Sequence, residues 1–328
     1  MILPQQDAVF SIVNEAQFLE YALQVFRFQA ENCAVYKSYL CNLKINPQEI
    51  KTLEEIPFLP IEFFKTHAVA SNFQKPEVTF TSSGTTGMIT SRHLVTDASW
   101  YQNSFRKGFE LFYGDVKNYA FLALLPSYLE RSGSSLIYMV EDLIAGTDNA
   151  SSGFYLYNDE DLYRKLLDLQ QTKQPTVLIG VTFALLDFIE KHQLNFPELI
   201  LMETGGMKGR RKEMIREELH EILCKGFGVP AIHSEYGMTE LLSQAYSLGE
   251  GLFNCVPWMK VLIRDTNDPF TILPDGKTGG INVIDLANIN SCSFIATQDL
   301  GKIHPNQMFE VLGRFDFSDI RGCNLLVG

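Results

Sequence analysis

Residues Ser82-Ser83-Gly84-Thr85-Thr86-Gly87 set four hydroxyl side chains and two glycines in a row, with no bulky group among them. Glycine lets the backbone approach a ligand closely and turn through positive φ, so successive N–H groups can converge on an anion, and each hydroxyl adds a donor. Such a segment suits a chain of phosphates. The preceding Glu77-Val78-Thr79-Phe80 alternates in the manner of a strand, and a strand running into this loop suits a nucleotide. A polar surface turn is the other reading of the same six residues. No lysine follows Gly87, so the loop is not of the Gly-x-x-x-x-Gly-Lys-Ser/Thr type. Gly276-Lys277-Thr278 has Thr271 where that motif's first glycine belongs. Gly249-Glu250-Gly251 lacks the third glycine of a dinucleotide fingerprint.

Three further clusters lie downstream: Tyr236-Gly237-Met238-Thr239-Glu240, Thr297-Gln298-Asp299-Leu300-Gly301, and a run from Gly313-Arg314-Phe315-Asp316 to Arg321-Gly322. In this order and at these separations the four segments resemble the core motifs of the adenylate-forming enzymes: acyl-CoA synthetases, luciferases and peptide-synthetase adenylation domains. The resemblance covers roughly residues 77 to 322. Ile56-Pro57-Phe58-Leu59-Pro60-Ile61-Glu62-Phe63-Phe64-Lys65, the stretch from Pro126 to Ser135, and Thr204-Gly205-Gly206-Met207-Lys208-Gly209 look like the acyl-protein synthetase (LuxE-type) branch, the fatty-acid-activating subunits of bacterial bioluminescence.

This resemblance implies an α/β fold, with helix-covered sheets and a small β subdomain. It also implies ATP- and Mg²⁺-dependent activation of a carboxylic acid, fatty in the expected case, to acyl-AMP. Ser82, Ser83, Gly84, Thr85, Thr86 and Gly87 would then hold the triphosphate. Thr239 would donate to the α-phosphate and then to the acyl carbonyl, and Glu240 would coordinate Mg²⁺, a hard ion that prefers oxygen. Asp299 would accept from the ribose hydroxyls, with Arg314 near the ribose or phosphates. Gly205 and Gly206 would form a flat wall against adenine, and Tyr236, followed by Gly237, would stack on its other side. Catalysis would rest on positioning and on stabilising the charge that builds on phosphate oxygens. Ordinary roles stay open: Glu240 as a helix-start acid favoured by the dipole, Asp299 as a turn residue, Tyr236 as core.

Two departures from the pattern matter. Met88-Ile89-Thr90-Ser91-Arg92 replaces a Pro-Lys-like continuation of the phosphate loop, leaving Arg92 as a candidate cation. The sequence ends at Gly328, soon after Gly322, so the expectation is a core lacking the mobile C-terminal domain and its lysine, with no lid for Asp316 to swing. In the acyl-protein synthetase branch the acyl group passes to a cysteine near the C-terminus and then to a partner reductase. Cys323 holds that place, and Arg321 beside it would favour the nucleophilic thiolate. A tail cysteine with no role is the plainer reading, and His233 and His304 are candidate bases. The partners expected are a fatty or aryl acid and an acyl-accepting reductase or carrier protein. A phenylacetate-CoA-ligase-like acyl- or aryl-CoA ligase and a non-catalytic adenylate-binding scaffold are the rival functions.

Positioning these residues falls to three stretches. Residues 1–75 are expected as a helical segment packed on the core, with apolar residues at helical steps from Asn14 to Leu43. Residues 76–254 are expected as the α/β nucleotide-binding core. Its strands fall at 119–125, 176–180 and 199–202, and its helices at 97–111, 159–171, 184–192 and 210–224. Residues 255–328 are expected as the small β subdomain with a truncated hinge and tail. With 46% hydrophobic residues in 328, the chain can bury a large core. A net charge of −12 argues against a nucleic-acid partner. The best apolar stretch, Val177 to Ile189, is too short to span a membrane, and no secretory signal is visible. Six cysteines without a Cys-x-x-Cys pair suit reduced thiols in the cytoplasm.

Overall fold

The computed structural model describes residues 3–72, 74–82, 90–126, 133–156, 158–205 and 214–315. Strands β1 (Leu59–Pro60), β2 (Val78–Thr81), β3 (Arg92–Val95), β4 (Ala120–Leu124), β5 (Gly153–Phe154), β6 (Thr176–Gly180) and β7 (Ile200–Glu203) come first along the chain. They are followed by β8 (His233–Tyr236), β9 (Ala245–Ser247), β10 (Leu252–Cys255), β11 (Met259–Arg264), β12 (Thr278–Asp285), β13 (Phe294–Ile303) and β14 (Phe309–Arg314). One sheet runs β11-β12-β13-β14-β10-β9-β8-β7-β6-β4-β5, with β1 parallel to β13, while β2 and β3 form a separate antiparallel hairpin. Neighbours from β5 to β8 are parallel, and those from β8 through β9 to β11 are antiparallel.

The parallel half follows from its composition. Every position of β4 and β6 is buried, the near-continuous apolar run of strands covered on both faces. The helices before and between them start at polar caps: Asp97, Ser134 and Asn158 accept from the N–H groups of Ser99, Ile137 and Asp161. The helices Ala98–Tyr113, Asp159–Gln171 and Thr182–Lys191 lie within about two residues of the expected bounds.

Two expected helices differ. The run from Asn14 to Leu43 is two helices, Glu15–Asn32 and Ala34–Asn42, because the buried Cys33 takes extended backbone with φ −85° and ψ 103°. The helix expected from Arg210 starts at Arg216. Ile215 before it is extended and offers no capping side chain, whereas Glu217 and Glu218 occupy the first turn, where the helix dipole favours acids. That helix closes on Gly228 at φ +66°, where a Cβ would collide with Asn195 Cα. No described helix is long and apolar enough to cross a membrane.

The first helices also position the site. Gln29, fully buried, donates to the carbonyls of Asn288 and Ile289 and accepts from the Ser293 N–H, which fixes the turn between β12 and β13. In open α/β sheets ligands sit beyond the carboxyl ends of the strands. Here Thr204-Gly205 leaves β7 and Gly237 to Glu240 leaves β8 at such ends.

Candidate functional site

Glu240 is 5% exposed, and the Ser91 hydroxyl is hydrogen-bonded to its carboxyl group. Burial raises that carboxyl above the ordinary carboxylate range, while Ser91 and the charges of Lys65 and Arg314 pull it back. Ser91 in turn pairs with Ser82. Its N–H donates to Ser82 Oγ at 2.9 Å, and its carbonyl accepts from the Ser82 N–H at 3.2 Å. The first expected phosphate ligand and the expected magnesium ligand therefore share one buried serine between them.

Behind this pair the backbone of Thr239 and Glu240 is held by two side chains that the sequence did not single out. His93 Nδ1 lies 2.8 Å from the Thr239 carbonyl, and its Nε2 lies 2.9 Å from Asn288 Oδ1. Asn288 Nδ2 donates to the carbonyls of Glu240 at 2.8 Å and Cys292 at 3.1 Å. Burial pulls the His93 imidazole down to about 4, against these hydrogen bonds, which pull it up. The unfolded chain, with an imidazole near 6.5, then binds a proton that the fold refuses, so stability is lost as pH falls from about 6.5 toward 4. The loss attributable to His93 is about 3 kcal/mol at most. Urea midpoints measured between pH 7.5 and 5 should fall less steeply in His93→Gln than in the wild type; parallel curves would discard the assignment.

Asp299 is 8% exposed on β13. Tyr236 donates its hydroxyl to Asp299 Oδ2 at 2.9 Å, and Arg314 Nε, directly across the strand pair, donates to Oδ1 at 3.2 Å. The Tyr236 ring packs edge-on against Phe253 and Phe309 and is 8% exposed, so the core reading of this residue holds alongside its hydrogen bond. Gly205 takes φ +72° with open space where a Cβ would stand. Its N–H donates at 2.6 Å to Glu203 Oε2, which also accepts from Thr182 Oγ1 at 3.2 Å.

Gly237 sits against a different carboxyl group, since a Cβ there would overlap Glu235 Oε1. The colliding atom is the far end of a flexible side chain. Gly237→Ala should therefore change the unfolding free energy, measured by urea titration, by less than about 1 kcal/mol while moving the Glu235 carboxyl; a larger loss would mean that the backbone itself needs glycine.

Ser83, Gly84, Thr85, Thr86, Gly87, Gly206, Asp316 and Cys323 lie outside the described residues. Arg92 is exposed on β3, and His304 Nε2 stands 3.5 Å from Glu310 Oε1, beside β14. Among the described residues, then, Ser82, Thr239 and Glu240 form one group and Tyr236, Asp299 and Arg314 a second, joined through the motif that begins at Tyr236. A single buried carboxylate fits Mg²⁺, which takes one or two protein carboxylates and fills its other positions with phosphate and water. No described cluster of three acidic, histidine or cysteine side chains offers an all-protein cage.

Solved structures share this architecture. A 2-hydroxyisobutyryl-CoA ligase in complex with 2-HIB-AMP and CoA, in its thioesterification state, matches with a TM-score of 0.69 and 14% identity over 96% of this chain and 73% of its own. The same ligase in its postadenylation state with 2-HIB-AMP gives 0.69 at 13% identity. MatB from Rhodopseudomonas palustris, bound to ATP, matches at 0.52 and 18% identity over 72% of this chain and 47% of its own. The chain thus spans about half of MatB's length. No protein-family model matches the chain, and no curated protein does. At these identities the likeness establishes the fold alone, an α/β core of the kind seen in these ligases.

Proposed function

We propose that this protein activates a carboxylic acid with ATP, releasing pyrophosphate and forming acyl-AMP, and then passes the acyl group to a thiol. The observation that carries the reading is the convergence at Tyr236 to Glu240. One end of this segment binds Asp299 through the Tyr236 hydroxyl, and the other accepts from Ser91, the partner of Ser82. A nucleotide laid across it would have its ribose at Asp299 and Arg314 and its phosphates at Ser82 and Thr239. Gly205, with no side chain and open space on its Cβ side, would face the base.

The acid's oxygen attacks the α-phosphorus as the bond to pyrophosphate breaks, and negative charge grows on the oxygens around it. Thr239 would orient the α-phosphate. Asn288 and His93 would hold the Thr239–Glu240 backbone still while it does so. Mg²⁺, held by Glu240 and the phosphates, would offset charge on the leaving group. Lys65 and Arg314, both within electrostatic reach of Glu240, add positive field at the same place.

For the acceptor, Cys323 is the first reading, with onward transfer to a reductase or carrier protein, as the acyl-protein synthetase resemblance implies. CoA is the second, favoured by the matching ligase, which was solved with CoA. Intact-protein mass after incubation with Mg·ATP and a mixture of acids tests both, in wild type and Cys323→Ser. A hydroxylamine-labile acyl adduct on the wild type alone is the expected result. Acid-dependent pyrophosphate exchange without an adduct would move the acceptor to CoA. Absence of exchange with every acid would sink the adenylation reading and leave a nucleotide-binding scaffold.

A further inference from the structure

Glu203 ends β7 with 5% of its surface exposed, beside Gly180 on one neighbouring strand and Ser234 on the other. Paired residues of neighbouring strands point to the same face, and alternation returns Tyr236 to that face two residues beyond Ser234. The helix Arg216–Phe227 supplies the charges set against it. Arg216 and His220, four residues apart, lie on one side of that helix. His220 Nε2 stands 3.9 Å from Glu203 Oε1, and the Arg216 charge acts on the same carboxyl group. The Arg216 guanidinium also lies over the Phe253 ring at 5.2 Å, and Phe253 packs against Tyr236.

Burial pushes the Glu203 carboxyl up, but His220, Ser234, Arg216 and the Gly205 N–H outweigh it and hold the group below the ordinary carboxylate range. Near neutrality it is therefore an anion with almost no contact with water. Such a charge is a poor device for stability, since well-packed apolar side chains in place of a buried charged group often do as well or better. What this anion does is local. Its Oε2 takes the Gly205 N–H in a short, charge-assisted bond, and the Thr182 hydroxyl with it. Two backbone bonds complete the fastening, from Thr204 N–H to the Gly180 carbonyl at 3.1 Å and from Thr182 N–H to the Gly205 carbonyl at 3.3 Å. Gly205 is thus tied down from behind at φ +72°, while the side where a Cβ would stand is open.

We infer that Glu203 is a positioning residue for nucleotide binding: without touching the ligand, it fixes the Gly205 turn at the height a purine ring packs against, with Arg216 steadying the other side behind Tyr236. The inference rests on the proposed function, in which the base lies at Gly205. That residue has no side chain to adjust to a ligand, so its backbone must already stand where the ring needs it. A misplacement of about 1 Å can cost on the order of 100-fold in catalysis. A neutral side chain that still accepts the Gly205 N–H should keep the turn, and an apolar one should release it. The phosphate end, at Ser82 and Thr239, has its own hydrogen bonds to Ser91 and His93 and does not depend on Glu203.

The test measures binding of ATP, adenosine and inorganic tripolyphosphate by calorimetry on the full chain, beside pyrophosphate exchange, in wild type, Glu203→Gln and Glu203→Leu. Glu203→Leu should weaken adenosine and ATP by at least about tenfold, and leave tripolyphosphate and the KM for the acid within about twofold. Glu203→Gln, whose amide oxygen can accept the Gly205 N–H, should recover most of the loss. A merely structural Glu203 would weaken tripolyphosphate as much as adenosine, and that result overturns the inference. Unchanged affinities in Glu203→Leu with exchange intact also overturn it, and spare the adenylation reading. If Glu203→Leu does not fold, Thr182→Val, which removes only the hydroxyl on the same oxygen, must show the adenosine-selective loss or the inference falls. Adenosine affinity that depends on Glu203, without exchange for any acid, keeps the inference and overturns adenylation. A wild type that binds neither adenosine nor ATP overturns both.

Discussion

Glu240→Gln should leave a folded protein whose acid-dependent pyrophosphate exchange has fallen by about 100- to 1,000-fold, the usual cost of removing one preorganised electrostatic contact. The substitution is close to isosteric. The glutamine can still take the Ser91 hydrogen bond, and the Glu240 carbonyl that Asn288 holds is untouched. Only the charge is lost, and that charge is buried enough to raise its own pKa. Stability should therefore hold or rise slightly, since the fold no longer confines an anion at low exposure. A purely structural Glu240 predicts the opposite pair of results, a lowered melting midpoint with exchange nearly intact. Raising the Mg²⁺ concentration separates the cases further, because only a variant that binds the metal less tightly recovers activity with added metal.

How far this could be read from the chain differs by kind of residue. The parallel strands were legible because a strand buried on both faces is a near-continuous apolar run, as in Ala120–Leu124 and, after its first threonine, Thr176–Gly180. Thr239, Glu240 and Asp299 were singled out because each stands in a short segment that resembles a motif of the adenylate-forming enzymes. Ser91, His93, Asn288 and Asp285 stand in no such segment. Their meaning appears only when β3 and the turn after β12 are folded against Thr239 and Glu240, across 146 residues for His93 to Thr239 and 195 for His93 to Asn288. An inward histidine in a short hairpin strand was the one local signal, and alternation alone does not say what an inward polar group meets. Tyr236 shows the converse. The motif marked the residue, yet the ring is packed between phenylalanines and the polar contact comes from its hydroxyl. The antiparallel strands after Asn254 were read from their alternation. Their hydrogen-bonded continuity with the parallel strands, through β10 and β9, depends on pairings no local pattern specifies.

Asp285→Ala should fail to fold stably, because Asp285 ties the segment after Glu240 to the turn that carries Asn288. Its Oδ2 accepts the N–H groups of Leu242 at 2.7 Å and Ser243 at 3.1 Å, and its Oδ1 accepts the Ser243 hydroxyl at 2.6 Å and the Ala287 N–H at 3.1 Å. The residue has no exposed surface, and burial lifts its carboxyl to about 6 even against those donors. Truncation strands three buried N–H groups, each costing about 1–3 kcal/mol, which together approach the whole stability of a typical domain. Asp285→Asn is the graded version. An amide oxygen can keep one pair of donors and the Ser243 hydroxyl can turn to accept from the amide nitrogen, leaving a single N–H opposed to a donor. The expected cost is about 1–3 kcal/mol in urea unfolding at neutral pH. Because the carboxyl's folded pKa is raised, its ionisation weakens the fold as pH rises through about 6, and the asparagine variant lacks that term. The gap between the variant and the wild type should accordingly narrow as pH is raised from 5 to 8. A gap that widened over that range would mean that the four hydrogen bonds hold the charge better than burial penalises it.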